Sequence, residues 1–264
     1  MASTSLSEQT DHPAFPQPYD PDVYVWRYLS FPKYVSLLEE RSLYFATADT
    51  LGDPYEGAAS HANKQLRPNV DAHAISRFGT TPEKWQAYLD SKGARNQSWR
   101  QWFFVNCWHL NSHESEAMWQ LYVPHSHGVA IRTRHGKLVD ALPEYIHIGK
   151  ISYIDYEKQW MPEGTLFHRY MHKRKSFSHE SEVRAMFADL PTVRDPSSGT
   201  HFLTQEANPN GGRYVAIDLE ALVESVLIAP TAPAWFRKVV EAVTLRYELT
   251  FPIKQSQLSR EPEF

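Results

Sequence analysis

The sequence is a succession of short β-rich runs separated by turns, with helical patterns dispersed among them. β-branched and aromatic residues mark strand runs at 23–29, 42–47, 102–108, 128–133, 146–153, 177–187, 214–218, 226–229 and 244–250. Apolar residues at helical spacing mark 32–38, 60–100, 114–122, 164–175, 219–224 and 234–243. Because the strands outnumber the helices and do not alternate with them one by one, the pattern predicts an α+β fold with mixed, mostly antiparallel sheets.

The chain is long enough for one large domain with its own core. Its 264 residues and 42% hydrophobic content are ordinary for a globular protein. Residues 1–20 are polar and rich in proline, and they carry no periodic pattern. We therefore predict a disordered or loosely docked N-terminal arm over 1–20 and a single α+β domain over 21–264.

Charge and composition limit the classes of partner. The net charge of -4 does not indicate nonspecific electrostatic binding of nucleic acid by the protein as a whole, although it allows a local basic patch. The single cysteine, Cys107, rules out an internal disulfide and suits a reducing compartment. No apolar run is long enough to span a bilayer, and the first residues do not follow the pattern of a signal peptide. We expect a cytoplasmic protein with no membrane partner.

The segment 177–187 places charged residues at every second position. In an extended strand, Glu180, Glu182 and Arg184 would share one face. Two carboxylates at this spacing repel each other, so either Arg184 offsets their charge or the pair serves binding or acid-base chemistry. A Glu-x-Glu-x-Arg strand on a solvated sheet face is an equally ordinary structural arrangement. Both interpretations stay open at this point.

Short motifs in four places resemble the uncharacterised domain-of-unknown-function family 2971. They span about residues 23–230 and lie at 26–29 with 43–45, at 53–56, at 107–131 (Cys107, 118–119 and 122, then 128–131), and at 180–184. That family is widespread in bacteria and their mobile elements, so the resemblance implies a bacterial protein. It implies no particular reaction, because the chemistry of the family is not assigned.

The order of three charged or polar elements also resembles the ADP-ribosyltransferases of the Arg, Ser, Glu class. Those enzymes present an arginine on an early strand, a serine or threonine patch on a middle strand, and a Glu-x-Glu or Gln-x-Glu pair on a later strand. This chain has Arg27, then residues 106–112 without a Ser-Thr-Ser sequence, then Glu180 and Glu182. The resemblance implies an ADP-ribosyltransferase-like core and NAD as a substrate.

The resemblance implies catalytic roles for the two glutamates. Cleavage of the bond between nicotinamide and ribose passes through an oxocarbenium-like state, which a carboxylate beside the ribose stabilises. Glu182 is the candidate for that carboxylate. Glu180 would orient or deprotonate the acceptor, a role that requires hydrogen-bond reach and a suitable pKa.

The same resemblance implies a set of NAD-binding residues. Arg27 would bind the pyrophosphate through the N–H donors of its planar guanidinium, and Tyr28 or Tyr44 would stack on the nicotinamide. Arg184 completes the predicted set. The ordinary alternatives are a surface ion pair for Arg27 and core packing for the two tyrosines.

Other reactive residues give weaker signals. The histidines do not follow a known zinc-binding spacing, so we predict no metal ligands. Cys107 lies in an apolar run, which favours a buried packing residue over a nucleophile. The basic run 172–175 is interpreted first as the solvated C-terminal end of a helix, and second as a contact for a phosphate or nucleic-acid acceptor.

The leading hypothesis from sequence is a cytoplasmic bacterial ADP-ribosyltransferase-like enzyme that uses NAD, acting as a toxin or in phage defence. Its acceptor would be a nucleic acid or a protein. Two alternatives come from other classes: a non-enzymatic module that binds a nucleotide or a protein, and a metal-dependent hydrolase or nuclease. The sequence does not decide whether the chain is an enzyme.

Overall fold

The computed structural model describes residues 11–194, 196, 199–260 and 262. The strands are β1 Tyr24–Ser30, β2 Ser42–Thr47, β3 Phe103–Leu110, β4 Gly128–Arg134, β5 His147–Lys150, β6 Ser152–Ile154, β7 His172–Arg174, β8 Glu182–Ala188, β9 Thr192–Arg194, β10 His201–Leu203, β11 Arg213–Ala216, β12 Ser225–Ile228 and β13 Ile253–Gln255. The α-helices are α1 Phe31–Glu40, α2 His61–Phe78, α3 Pro82–Trp99, α4 Glu116–Tyr122, α5 His135–Ala141, α6 Leu219–Leu222 and α7 Ala234–Arg246. Short 3₁₀ helices lie at Ala48–Thr50, Arg100–Trp102, Leu166–Tyr170, Lys175–Glu180 and Gln257–Ser259.

A nine-stranded sheet forms the centre of the molecule. Its main path runs β11-β2-β3-β1-β4-β12-β13, and β8 lies along the other edge of β3 with β5 beyond it. All neighbouring strands in this sheet are antiparallel except β12 and β13. The prediction of a mixed α and β fold with a mostly antiparallel sheet is therefore confirmed.

The sheet opens between β1 and β2. Both strands pair with the same edge of β3, but β2 pairs only at Phe104 and Val105, and β1 pairs only at His109 and Leu110. Beyond those points β1 continues along β4, and β2 continues along β11. The middle of β3 therefore has no strand partner on this edge, and a gap separates β1 from β2.

Apolar side chains cover both faces of the sheet. On one face, residues of α1, α5, α6 and α7 pack on alternate positions of the strands, and this core includes Tyr34, Leu138 and Phe236. On the opposite face the apolar residues form two smaller clusters, one around Phe103 and one around Trp119. The division of this second face leaves room for a cavity, which lies at the gap in the sheet.

The helix boundaries follow the capping signals of the sequence. Ser60 caps α2 by accepting a hydrogen bond from the amide of Asn63, and Thr81 caps α3 in the same way, with Pro82 in the first turn. The helix α4 begins at Glu116 rather than at the predicted Glu114. Ser115 is the cap, because its side chain accepts from the amide of Met118.

Three other local predictions are wrong. The predicted helix over 164–175 is a 3₁₀ helix followed by β7, because this segment pairs with β6 in a parallel two-stranded sheet. The predicted strand over 244–250 is not formed, since α7 continues to Arg246 with Thr244 packed in the core. The predicted strand over 177–187 begins only at Glu182. Ser181 adopts a left-handed conformation, φ 40°, which breaks the extended chain.

Part of the predicted N-terminal arm packs on the sheet, while its residues 1–10 lie outside the described range. Phe15 is 1% exposed, and the amide of Lys150 donates to the carbonyl of Pro16 at 2.7 Å. The backbone of Phe15 lies so close to Gly149 that a Cβ at this glycine would be 2.7 Å from its Cα. Only glycine accommodates that approach without a shift of the chain.

We therefore expect Gly149→Ala to lower the free energy of unfolding by about 1–3 kcal/mol, because the added methyl group displaces the backbone of Phe15. Gly93→Ala is the matched control. Gly93 lies within α3, and no neighbouring atom comes within 4 Å of the position that a Cβ would occupy there, so alanine should raise stability by about 0.5–1 kcal/mol. Urea unfolding of both variants measures the difference. Equal effects would contradict the packing of this segment.

None of the described helices is both long and apolar enough to cross a membrane.

Candidate functional site

A cavity of about 880 Å³ lies where β1 and β2 separate. Strands β1, β2, β3 and β8, helices α1 and α4, and the segment after β2 all contribute to its wall. The aromatic and ionisable residues that line it are Trp26, Arg27, Tyr28, Lys33, Tyr44, Asp53, Glu56, Cys107, Trp108, His109, Tyr122, Lys173, Phe177, Glu180, Glu182, Arg184 and Tyr214. A volume of this size is typical of a pocket for a small organic ligand or a nucleotide.

The wall at β8 is built from a buried ion cluster of Glu56, Lys173, Glu180, Glu182 and Arg184. The Arg184 guanidinium is 0% exposed and donates through Nε to Glu182 Oε1 at 2.7 Å. It also forms an ion pair with Glu56 and donates to the carbonyl oxygen of Tyr170. Arg184 is thus enclosed by acceptors, which is the condition under which a buried charge is tolerated.

Lys173 joins the two glutamates that the sequence singles out. Its Nζ donates to Glu180 Oε2 at 2.6 Å and to Glu182 Oε2 at 2.8 Å. The repulsion expected between the two carboxylates is therefore offset by a cation placed between them. This cation comes from β7, which lies outside the segment 177–187.

The ion cluster controls the protonation of its members. Burial by itself raises the pKa of Glu182, but the charges of Arg184 and Lys173 outweigh it and lower the pKa to about 2. Burial lowers the pKa of Lys173, yet the attraction of Glu182 prevails and raises it above its ordinary value. Burial raises the pKa of Glu56 despite its pairing with Arg184. Glu182 is therefore an anion and Lys173 a cation at neutral pH.

Arg27 lines the cavity from the gap between β1 and β2. Its guanidinium donates to the carbonyl oxygens of Cys107 and Tyr44, both at 3.4 Å, and lies 5.8 Å from the ring of Trp108. The carbonyl of Tyr44 also accepts from Asn106 Nδ2 at 2.9 Å. The side chains of Arg27 and Asn106 thus donate hydrogen bonds to backbone carbonyls that would pair with a neighbouring strand if the sheet were continuous.

Arg27 has no anionic partner among the residues that the structure describes. Burial lowers its pKa to about 10, and no aspartate or glutamate contributes to its surroundings there. The group remains protonated at neutral pH, and its two long hydrogen bonds leave most of its five N–H donors unused. A partly desolvated guanidinium without a counterion favours the binding of an anion from solution.

The two predicted stacking residues differ in their accessibility. Tyr28 is 6% exposed, with its hydroxyl accepting from the amide of Ser115 and its ring edge-on to Trp119. Tyr44 is 44% exposed, and its ring lies 5.0 Å from the ring of Tyr214. Tyr44 is thus the residue of the pair that offers a free aromatic face, whereas Tyr28 is engaged in packing.

The fold brings all six predicted site residues to one cavity: Arg27, Tyr28, Tyr44, Glu180, Glu182 and Arg184. Glu180 reaches it from the end of a 3₁₀ helix rather than from the strand face predicted by the period of two. Arg184 reaches it with a guanidinium that is fully paired inside the protein, so it is placed to position Glu182.

Sequence reasoning missed three residues of the site: Glu56, Lys173 and His109. Glu56 belongs to a turn motif, and Lys173 belongs to the basic run predicted as a solvated helix end. In the structure Lys173 is buried in the ion cluster, and Arg174 pairs with Asp53 at 2.8 Å, so the interpretation of 172–175 as a solvated helix end is wrong. Glu56 and His109 have partners far away in sequence, at Arg184 and Glu180. Lys173 reaches its two glutamates through the 3₁₀ helix Lys175–Glu180 and the left-handed Ser181 that follow it, which no local pattern predicts.

Cys107 lines the cavity half-buried, and burial raises the pKa of its thiol, which favours the protonated form. The nearby negative charge of Glu182 raises this pKa further. Across the described part of the chain, no three side chains of His, Cys, Asp or Glu come together as a metal site requires.

No protein-family model, no curated protein and no solved structure matches this chain. The two resemblances based on short motifs therefore stay predictions.

Proposed function

We propose that this protein is an ADP-ribosyltransferase-like enzyme that binds NAD in the cavity and transfers its ADP-ribose to an acceptor. One observation carries the proposal: a guanidinium without a counterion among the described residues, Arg27, shares a cavity with an ionised carboxylate, Glu182. NAD presents the matching pair of features, since its pyrophosphate is anionic and its ribose becomes cationic during cleavage.

Arg27 is assigned to the pyrophosphate. An arginine binds phosphate oxygens with parallel N–H donors, and the interaction gains strength where water is partly excluded. The existing contacts of Arg27 go to backbone carbonyls at 3.4 Å, so a phosphate does not have to displace an ion pair. The exposed ring of Tyr44 is assigned to the nicotinamide, with Tyr214 beside it.

Glu182 is assigned to the reacting ribose. When the bond between C1′ and the nicotinamide nitrogen breaks, its electron pair leaves with the neutral nicotinamide, and positive charge develops on the ribose. An anionic carboxylate stabilises that charge if it is held in place beforehand. Arg184 and Lys173 hold Glu182 in one position and keep it ionised. A nucleophile of the acceptor then bonds to C1′ and loses a proton.

The wider setting follows the same proposal. The proposal includes an ADP-ribosyltransferase-like core with NAD in the cavity at the gap between β1 and β2, and an acceptor nucleic acid or protein would approach the same cavity. A cytoplasmic bacterial enzyme of this type would act as a toxin or in phage defence. These assignments depend on the proposed reaction.

A second function, nucleotide binding without turnover, is favoured by the same ion cluster. Both oxygens of Glu182 already accept hydrogen bonds, Oε1 from Arg184 and Oε2 from Lys173 and Arg184. A carboxylate that is neutralised by two cations stabilises an oxocarbenium ion less than a free one does. Binding of NAD without release of nicotinamide would therefore identify a binding module rather than an enzyme.

We expect the purified protein to release nicotinamide from NAD and to bind NAD measurably by calorimetry. Arg27→Met should weaken the binding by about 10–100-fold, because a charge-assisted phosphate contact contributes roughly 1.5–3 kcal/mol. The control is Arg237→Met, which removes an exposed arginine that pairs with Glu241 on α7. It should leave the affinity for NAD unchanged. Equal affinities of wild type and Arg27→Met would exclude Arg27 from the pyrophosphate site.

A further inference from the structure

His109 is a buried histidine of the cavity that is not among the site residues predicted from the sequence. It lies on β3 directly opposite Glu182 on β8, and directly paired residues of adjacent strands project to the same face. Both residues line the cavity, and His109 is 4% exposed. An imidazole and an ionised carboxylate therefore stand side by side in the wall of the proposed NAD site.

A hydrogen bond determines the tautomer of His109. Its Nδ1 lies 2.5 Å from the carbonyl oxygen of Glu180, and a carbonyl can only accept, so Nδ1 carries the proton. In the neutral ring, Nε2 is then an acceptor. The side-chain amide of Asn111 lies 3.4 Å from Nε2 as a long, weak donor, in agreement with this assignment. An O–H group that binds at Nε2 would form a stronger hydrogen bond than this contact.

The surroundings favour the neutral ring. Burial lowers the pKa of His109 from its ordinary value of 6.5, and this effect outweighs the hydrogen bond to the backbone of Glu180. The titratable and charged groups packed around it are Tyr28 on β1, His179 and Glu180 in the 3₁₀ helix, and Glu182 on β8, while Tyr122 on α4 and Lys173 on β7 line the same cavity. At neutral pH the ring can therefore take up a proton.

The sequence assigns deprotonation of the acceptor to Glu180, but Glu180 is less suited to this role than His109. Its carboxylate is held by Lys173 at 2.6 Å, in a contact that also fixes Glu182. Proton transfer to Glu180 would weaken its pairing with Lys173. The part of Glu180 that contributes to acceptor chemistry is its backbone carbonyl, which holds His109 in the competent tautomer.

We propose that His109 Nε2 is the catalytic base that takes the proton from the acceptor, and that the acceptor group is a hydroxyl, of an alcohol or of water. This inference rests on the proposed function. In the step, the C1′–N bond breaks and its electrons leave with nicotinamide, while the acceptor oxygen bonds to C1′. The hydroxyl proton passes to His109 Nε2 and then to solvent. The reaction needs no further co-reactant.

The inference is tested by kinetics of nicotinamide release. His109→Ala should lower kcat by about 10²-fold with little change in the affinity for NAD, and added imidazole should restore part of the rate. The wild-type rate should fall as the pH drops below 6.5, because protonation removes the acceptor on Nε2, and this acid limb should be absent from His109→Ala. The control is His113→Ala, an exposed histidine four residues along the chain, which should retain the wild-type profile.

A measurement on the resting protein tests the geometry separately. Long-range ¹H–¹⁵N spectra of histidine-labelled protein at pH 8 should report the Nδ1–H tautomer for His109, assigned by comparison with His109→Gln. An Nε2–H tautomer would overturn the proposal. So would a wild-type protein that releases nicotinamide while His109→Ala retains its rate. A wild-type protein that binds NAD but releases no nicotinamide would refute the proposed reaction itself, and the role of His109 with it.

Discussion

We expect Glu182→Gln to reduce the rate of nicotinamide release by about 10³-fold, because it removes the one fixed negative charge assigned to the developing oxocarbenium ion. The amide is nearly isosteric, so the shape of the cavity is kept. Both cations of the cluster retain a carboxylate, Lys173 through Glu180 and Arg184 through Glu56. The variant should therefore fold and still bind NAD through Arg27. Single-turnover release of labelled nicotinamide measures the effect.

The control for this prediction is Glu224→Gln. Glu224 also accepts from two cations, Arg134 at 3.2 Å and Lys137 at 3.0 Å, but it does not line the cavity. The Glu224→Gln variant measures how much stability is lost when a carboxylate paired with two cations loses its charge. It should leave the release of nicotinamide unchanged. Release that survives in Glu182→Gln would defeat the assignment of Glu182. A loss of activity accompanied by a loss of NAD binding would indicate a collapsed cavity instead.

The largest effect on stability is expected for Arg184→Met. This change leaves Glu56 and Glu182 buried without the cation that joins them, and removing one partner of a buried ion cluster costs about 3–5 kcal/mol. Methionine is about as long as the aliphatic part of the arginine side chain. The loss of stability therefore comes mainly from removal of the charge and less from an empty space in the core. Because a typical domain has only about 5–15 kcal/mol of stability, the variant should unfold at a much lower urea concentration.

Arg213→Met provides the comparison for a surface ion pair. Arg213 pairs with Asp189 at 3.3 Å, and both side chains are substantially exposed, at 36% and 62%. Exposed pairs contribute about 0–1 kcal/mol, so this variant should unfold close to wild type. If both substitutions cost the same, Arg184 would not be the charge that makes burial of the two glutamates possible.

Local sequence patterns predicted most of the strands of the central sheet. The runs at 42–47 and 128–133 correspond to Ser42–Thr47 and Gly128–Arg134, because β-branched and aromatic residues favour a pleated surface packed on a core. The patterns failed where backbone conformation is set by tertiary contacts. Ser181 in a left-handed conformation delays the start of β8 to Glu182 and leaves Glu180 outside the strand, and nothing in the alternation of 177–187 signals that break.

The residue types of the site were predicted better than their arrangement. Arg27, Glu180 and Glu182 were chosen for their order along the chain, and the fold brings them to one cavity. Lys173 was misjudged, because a lysine in a basic run is expected to be solvated unless its two carboxylate partners are known. Those partners are recognised only when the 3₁₀ helix between β7 and β8 is known, because it brings Glu180 and Glu182 to Lys173.

The sequence by itself determined that this protein has an α+β fold, where most strands lie and which ionisable side chains are available for chemistry. The tertiary structure alone decided that β1 and β2 separate, that Arg27 stands in the gap without a counterion among the described residues, and that Lys173 and Arg184 enclose Glu182. The physical reason is one of range. Backbone propensity and alternation act between near neighbours, whereas the desolvation and pairing of charges depend on segments far apart in the chain.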